Sequence, residues 1–434
     1  MTQDARLLWA GLVLALYTLF CIAVWRYARA RGRVAQGGVL VAFASQTGMA
    51  EELARATAKA LTARGEDAVA GPLGSLTAED LRAYRRVLFV VSTTGEGDAP
   101  DSAARFQRTQ MARPTRLDGL AVGVLALGDR AYADFCAFGR RLDAWLAASG
   151  SARLFERIEV DAGDPAAIAR WGEAVADGQG TDFLAPPAHQ SWRLVERRRL
   201  NPRGQGDPVF LIALAPPTPA LEVDWAAGDV VEIERVVDGA THHREYSIAS
   251  LPADGRIELV VREHRRPDGS VGLMSGWLTG KARLNSAVRL RVRTNNNFHA
   301  APGTGSRILI GAGTGVAGLR AHLKVRGGPS WLIFGERTRA GDYLLGEEID
   351  AWVAEGRIAR LDLAFSREGG GYVQDRLRDA AVALRAWIAD GATLFVCGSL
   401  AGMGHGVHEA LNEVLGADRL RQLNEAGRYR RDLY

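Results

Sequence analysis

Residues 43–54 read FASQTGMAEELA. This stretch ends the apolar run VLVAF and opens the amphipathic segment AEELARATAKALTARG, which stops at Gly65. A buried strand, a loop of hydroxyls and glycine, and then a helix make a phosphate cradle. Ser45, Gln46 and Thr47 offer donors, and Gly48 lets the backbone come close. Met49 and Ala50 begin the helix, whose first amides and dipole favour an anion. The loop has no lysine. A nucleoside triphosphate site adds one in the pattern GxxxxGK[ST], so this loop suits one phosphate and argues against a nucleotide triphosphatase. Taken alone, an ordinary strand-to-helix turn would look the same.

Two further loops change that reading. RVLFVVS, a strand, runs into STTGEGDAPDSA, which brings Ser92, Thr93, Thr94 and Gly95, with Glu96, Asp98 and Asp101 beside them. LAVGVLAL runs into LGDRAYADFC, residues 127–136, which brings Leu127, Gly128, Asp129, Tyr132, Phe135 and Cys136. Three apolar strands that each feed a loop and a helix predict a doubly wound parallel sheet, whose ligands bind outside the carboxyl ends of the strands. Tyr132 is suited to stacking on a planar ring. One phosphate site beside an aromatic plate describes a site for flavin mononucleotide (FMN).

Around this core the 434 residues suffice for two or three domains. With 47% hydrophobic and 24% charged residues the chain is globular. A net charge of +4, without a basic stripe, gives no reason to expect nucleic acid as a partner. Cys21, Cys136 and Cys397 are far apart, so neither a disulfide framework nor a metal site is expected. The nineteen residues Leu7 to Trp25 carry no charge, enough to cross ~30 Å of hydrocarbon. Arg26, Arg29, Arg31 and Arg33 follow them, which predicts a single-pass anchor in the cytoplasmic (inner) membrane with the rest of the chain in the cytoplasm. A cleaved signal peptide would carry its charge ahead of the apolar run.

The parallel pattern breaks near GTDFLAPPAHQ, residues 180–190. VFLIALA, DVVEIERV, REYSIAS, RIELVVRE and AVRLRVR then read as short strands of an antiparallel barrel or sandwich. From Arg307 the alternation returns in RILIGAGTGVAGLRAHL, SWLIFGER, RLDLAFS and ATLFVCGS, a second parallel α/β domain. The expected organisation is 1–37 anchor and basic segment, 38–178 flavin mononucleotide domain, 179–191 linker, 192–301 barrel and 302–434 nucleotide domain.

The three loops SQTGMAEELA, STTGEGDAPDSA and LGDRAYADFC closely resemble the flavodoxin-like domain of the diflavin reductase family. By that resemblance the first loop holds the FMN phosphate, the others flank the isoalloxazine, and Asp161 adds an acidic contact. REYS, residues 244–247, resembles the RxYS signature of ferredoxin–NADP reductase modules. It implies Arg244 on the pyrophosphate of flavin adenine dinucleotide (FAD), Tyr246 on the ring and Ser247 near its reactive nitrogen. VGLMSGWL resembles the second FAD loop and implies Gly272, Leu273, Met274 and Ser275 on the pyrophosphate. IGAGTGVAG resembles the NADPH loop, with Gly311, Gly313, Thr314 and Gly315. Ser366, Arg367, Tyr372 and Gln374 then resemble the set that meets the adenosine end. A hydroxyl and an arginine there favour a 2′-phosphate, hence NADPH.

FVCGS and the terminal RYRRDLY resemble the family's nicotinamide site and C-terminus. They imply catalytic roles for Ser247, Cys397, Asp432 and Tyr434, the last covering the FAD ring. The resemblance spans about 38–434 and is nearest to the flavoprotein alpha component of NADPH–sulfite reductase. It implies FMN, FAD and NADPH as cofactors and an electron-acceptor protein, such as a haemoprotein, as partner. The sequence departs from the family in several places. No connecting domain fits between His189 and Arg244, Gly370 stands where a lysine is usual, and Ser399 and Gly406 replace residues that are often acidic. These departures favour a rival reading, a flavin-binding electron-transfer module without efficient NADPH turnover. Ferric chelates and quinones are alternative acceptors.

Overall fold

The computed structural model describes residues 37–434 apart from 46–47, 95–96, 131–132, 177–187, 203–205, 218–223, 267, 302 and 304. The chain forms two compact units, the first from residues up to 44 and from 50 to 184, the second from 45–49 and 185–434. Among the described residues no helix is long and apolar enough to cross a membrane. The uncharged run from Leu7 to Trp25 lies outside the described residues.

The first unit is built on a parallel sheet of β1 (Val39–Ala44), β2 (Ala68–Pro72), β3 (Arg86–Ser92), β4 (Ala121–Gly128), β5 (Ala152–Arg153) and β6 (Ile158–Asp161). Their order is β2-β1-β3-β4-β5, with β6 also paired to β4. β1 is buried throughout, and β3 and β4 are buried except at their end residues, as expected of strands covered on both faces. Helices Met49–Ala63, Ala137–Ala148 and Pro165–Val175 pack against this sheet. The order of the strands reverses direction between β1 and β3, the switch point at which doubly wound sheets of this order place their ligand.

The second unit holds two sheets. The antiparallel one comprises β7 (Gln190–Arg199), β8 (Val209–Ala215), β9 (Val230–Val237), β10 (Ala240–Ser247), β11 (Ile257–Arg262) and β12 (Ala287–Arg293), ordered β10-β9-β12-β7-β8-β11. Alternation decides its inner face. Val231 and Ile233 of β9 and Val288 and Leu290 of β12 join a core with Trp192 and Trp225, while Glu232, Glu234, Arg289 and Arg291 occupy the alternate positions. β7 was not among the expected strands, because the run of arginines in SWRLVERRR hides its alternation. Arg197, for example, folds back onto the carbonyls of Leu278, Gly280 and Ala282.

The parallel sheet of this unit comprises β13 (Arg307–Ala312), β14 (Ser330–Glu336), β15 (Ile358–Phe365), β16 (Thr393–Gly398) and β17 (Tyr429–Leu433). Their order is β15-β14-β13-β16-β17. β17 pairs Asp432 with Cys397 and Leu433 with Gly398, so the C-terminal stretch is a sheet strand rather than a frayed tail. Between His189 and Arg244 the described residues form β7, β8, β9 and the start of β10, with no helix among them. That agrees with the absence of a connecting domain.

Candidate functional site

The carboxyl edge of the first sheet gathers the three loops. Ser45 follows β1. Gly48 adopts φ +88°, a left-handed conformation that a side chain would strain. Met49 and Ala50 then start the helix. The Ser92 hydroxyl donates to Ala44 O at 3.2 Å, tying β3 to the end of β1. The Thr93 amide donates to Leu127 O at 3.0 Å, and its hydroxyl accepts from the Phe138 amide at 3.3 Å. Thr94 and Asp98 exchange backbone hydrogen bonds of 2.9 and 2.8 Å, closing the second loop into a tight turn. Gln46, Thr47, Gly95 and Tyr132 lie outside the described residues, so the stacking role expected of Tyr132 stays an expectation.

The third loop corrects part of the expected set. Phe135 is only 9% exposed and packs with Ala126 and Cys136, with the Arg130 guanidinium 4.7 Å from its ring centre. Cys136 is buried, its thiol donates to Ala126 O, and burial together with Glu159 pushes its pKa up to about 12. Such a thiol is a structural hydrophobe. Gly128 is needed for this packing, since a Cβ there would stand 2.9 Å from the Cys136 amide. Asp129 follows directly. Asp161 accepts from the Arg130 amide at 2.9 Å and pairs with its side chain at 3.5 Å. Its shown part is to hold this loop.

The second unit assembles a tighter constellation at the carboxyl edge of its parallel sheet. β13 delivers the turn Gly313–Gly315, β14 delivers Glu336, β15 delivers Ser366 and Arg367, β16 delivers Cys397, and β17 delivers Asp432 and Tyr434. Gly311 and Gly315 let the backbone pack closely. A Cβ would stand 2.9 Å from Cys397 O at Gly311 and 2.1 Å from it at Gly315. Helix Val316–Lys324 starts immediately after, so its first amides face the same edge. Arg262 donates to Glu336 at 2.8 Å, while its Nη1 is buried without a hydrogen-bond partner among the described residues. The same guanidinium brings its Nη2 within 3.4 Å of where a Cβ would sit at Gly313, and a guanidinium with a spare nitrogen next to this turn fits an anionic ligand. No sequence motif marks Arg262, which ends an otherwise ordinary strand.

Ser247, at the end of β10, reaches this edge from the antiparallel sheet. Its hydroxyl donates to Asp432 Oδ2 at 2.6 Å, and the Cys397 thiol donates to the same oxygen at 3.6 Å. Gly318 leaves room for them, with Cys397 Sγ 3.1 Å and Ser247 Cβ 3.7 Å from where a Cβ would sit. Burial, and then the Asp432 charge, push the Cys397 thiol well above its ordinary pKa. Burial also raises the Asp432 carboxyl, against the pull of the Ser247 and Cys397 hydrogen bonds. Cys397 is therefore a thiol and not a thiolate. Tyr434 is 53% exposed, and its hydroxyl lies 2.9 Å from Thr314 Oγ1, which latches the last residue to the glycine turn.

The other expected residues divide. Arg244 is exposed, with its guanidinium folded onto His243 O at 2.8 Å, and Tyr246 packs against the barrel core. The Gly272 amide donates to His264 O and the Ser275 hydroxyl accepts from the His264 amide, so both are engaged within their own loop. Leu273 O accepts from Arg235 at 2.9 Å. The Met274 side chain is buried in the core cluster, so a contact of this residue with a pyrophosphate would fall to its backbone. Ser366 donates its amide and hydroxyl to Glu336 O at 3.0 and 3.4 Å, Arg367 is exposed, and Tyr372 is 58% exposed. Gln374 packs its amide within 2.9 Å of the place a Cβ would take at Gly406, so its side chain serves the contact between helices Val373–Asp379 and His405–Leu415. Gly370 has a physical reason too: a Cβ would meet Phe365 N at 2.9 Å. Ser399 caps the next turn, its hydroxyl accepting from the Gly402 amide at 3.1 Å. His189, Glu234 and His243, which no sequence signature links, place ligand atoms within 4.8 Å of one another.

Residues 41–171 match the Flavodoxin family. Across its length the chain is similar to sulfite reductase [NADPH] flavoprotein alpha-components. The one from Vibrio cholerae serotype O1 is 27% identical, over 92% of this chain and 88% of the relative. That of Neisseria meningitidis serogroup C is 26% identical, over 91% and 89%, and that of Salmonella paratyphi A is 27% identical, over 92% and 90%. The first alignment runs over 540 positions while drawing on 92% of 434 residues, so the relative fills many positions alone.

Proposed function

We propose that this chain, a homologue of the sulfite reductase flavoproteins with a flavodoxin domain in its first half, is an NADPH-dependent diflavin oxidoreductase held to the cytoplasmic membrane by its N-terminal helix. The reading assigns 1–37 to the anchor, 38–178 to the FMN domain, 179–191 to a linker, 192–301 to the FAD barrel and 302–434 to the NADPH domain. Bound FAD would accept a hydride from NADPH and bound FMN would hand single electrons onward. The acceptor we favour is a protein, a haemoprotein or a sulfite reductase haemoprotein.

One observation carries the proposal. Ser247 from the barrel, Cys397 and Asp432 from the parallel sheet, and the turn Gly313–Gly315 converge on one edge. In this arrangement Ser247 would stand at the flavin and Cys397 at the nicotinamide. Asp432, buried beneath both, orients the Ser247 hydroxyl and keeps the Cys397 proton in place. The protonated thiol adds bulk without charge, which suits a pocket for a neutral reduced ring. The Arg262 guanidinium and the glycine-turn amides would hold the pyrophosphate. Tyr434, latched to Thr314, would close over the flavin and must release for nicotinamide to enter.

The test is to purify the full chain in detergent, release its cofactors, count FMN and FAD, and add NADPH without oxygen. One of each flavin with rapid bleaching is expected. Bound flavin that NADPH does not bleach would instead favour the flavin-binding module without turnover.

A further inference from the structure

The outward face of the antiparallel sheet carries a second constellation that no motif above includes. His243 on β10 lies directly opposite Glu234 on β9, and Glu234 lies opposite Arg289 on β12. His189, just ahead of β7, enters the same cluster. Its side chain is only 8% exposed, although this face is the one turned away from the barrel core. His189 Nδ1 is 3.4 Å from Glu234 Oε2, and the two imidazole rings stand 5.4 Å apart, tilted by 39°. His189 Nε2 stands 3.0 Å from Glu232 Oε1, while His243 Nδ1, buried and without a hydrogen bond among the described residues, stands 3.6 Å from the same oxygen.

A salt-bridge ladder accounts for the carboxylates and leaves one imidazole nitrogen over. Arg289 holds Glu234 Oε1 at 2.7 Å and leaves Oε2 turned to the imidazoles. Arg291 holds Glu232 through both carboxylate oxygens, at 2.8 and 3.2 Å. With both carboxylates held by arginines, His243 Nδ1 is left without a hydrogen bond among the described residues. A buried ring nitrogen left so costs on the order of 1–3 kcal/mol. A cation among the three ligand atoms removes that cost.

We propose that His189, Glu234 and His243 form a structural site for a borderline divalent transition-metal ion of the zinc class. Two imidazoles and one carboxylate are a common donor set for such ions, with a fourth position for water. The 3.4 Å separation of His189 Nδ1 and Glu234 Oε2 is already the edge of a coordination tetrahedron with arms of about 2.1 Å. All three ligand atoms lie within 4.8 Å, so small side-chain rotations close the set. Glu232 supplies the outer carboxylate, with its Oε1 3.0 Å from His189 Nε2, the relation that fixes the tautomer and orientation of metal-bound histidines. The ion would tie the entry of β7 to β9 and β10, where the chain comes into the barrel.

The full chain, carrying no histidine tag, is stripped with chelator and dialysed against Zn2+, and metal and flavin are counted together. One Zn2+ per chain is expected, and Co2+ in its place should show the intense visible bands of four-coordinate cobalt. His189→Ala and His243→Ala should each weaken binding at least tenfold, while His405→Ala leaves it unchanged. Flavin content reports whether each variant folds. If His189→Ala does not fold, His189→Cys keeps a ligand and should add a sulfur-to-cobalt absorption band. Flavin-loaded wild-type chain that retains no zinc, or zinc retention that both histidine variants leave intact, would overturn the proposal.

Discussion

The Ser247 hydroxyl and Asp432 Oδ2 are 2.6 Å apart, although 185 residues separate them in the chain. The bond joins the last residue of β10 to β17 and places the barrel's hydroxyl over the carboxyl edge of the parallel sheet.

Replacing Asp432 by Asn removes the acceptor that orients Ser247 and Cys397. A hydrogen bond to a charged group contributes ~1.5–3 kcal/mol, so flavin reduction by NADPH should slow about 10- to 100-fold with both flavins retained. Anaerobic stopped-flow absorbance measures it. Stability should change with pH as well. Burial raises the Asp432 carboxyl from 3.8, so its contribution is complete below that value and is lost as pH rises through the raised one. The Asn variant should lack this loss in denaturation curves taken across that range.

Thr314 and Tyr434 should act as a pair. Thr314→Ala and Tyr434→Phe each break the same 2.9 Å contact, so the double variant should change the KM for NADPH no more than either single one. The coupling expected is ~0.5–1.5 kcal/mol. Strict additivity of the two effects would show that the latch does not operate.

Gly315→Ala would set a Cβ 2.1 Å from Cys397 O, a backbone atom that cannot yield. A loss of at least ~1–3 kcal/mol is expected, together with most NADPH-dependent bleaching. Gly305→Ala, with nothing within 4 Å of the new Cβ, serves as the control and should melt like the wild type.

Placing a lysine at position 370, where the resemblance leads one to expect it, should fail. Gly370→Lys would press its Cβ against Phe365 N at 2.9 Å and Phe365 O at 3.1 Å. The variant should bind NADPH more weakly than the wild type, as read by titration of the oxidised protein with NADP+.

Arg320 joins the two sheets of the second unit. It donates to Glu258 at 2.5 Å and Ala249 O at 2.8 Å on the barrel side, and to Glu348 at 2.7 Å. Arg320→Met leaves the buried Glu258 with Arg256 as its remaining cationic partner, and should cost ~1–3 kcal/mol in chemical denaturation. Burial raises the Glu258 carboxyl, but Arg320 and Arg256 outweigh it and hold it below its usual 4.5. That stabilisation is complete above 4.5 and lost as pH falls through the lowered value, so the wild type should lose its advantage over the variant on acidification.

Much of this was legible along the chain. The strands β1, β3 and β4 of the first sheet and β13, β14 and β16 of the second are uninterrupted apolar runs, because both their faces are covered. The loops after them lie at the carboxyl edge for the same topological reason, and short-range chemistry selects their glycines and hydroxyls. Local pattern also decided Gly48 and the turn Gly313–Gly315, whose backbone demands are set within a few residues. Relations between distant residues were beyond its reach. Phe135 and Met274 belong to loops named for their ligands, and the folded chain buries both side chains. Gly370 looked like a lost lysine, and proved to be a place with no room for one. Arg262, and the cluster of His189, Glu234 and His243, carry no motif, because their neighbours come from strands whose pairing only the folded sheet defines. Spacing in a sequence reports contacts along one helix or one loop; a buried charge or a ligand set drawn from several strands depends on register and crossover, which tertiary structure alone decides.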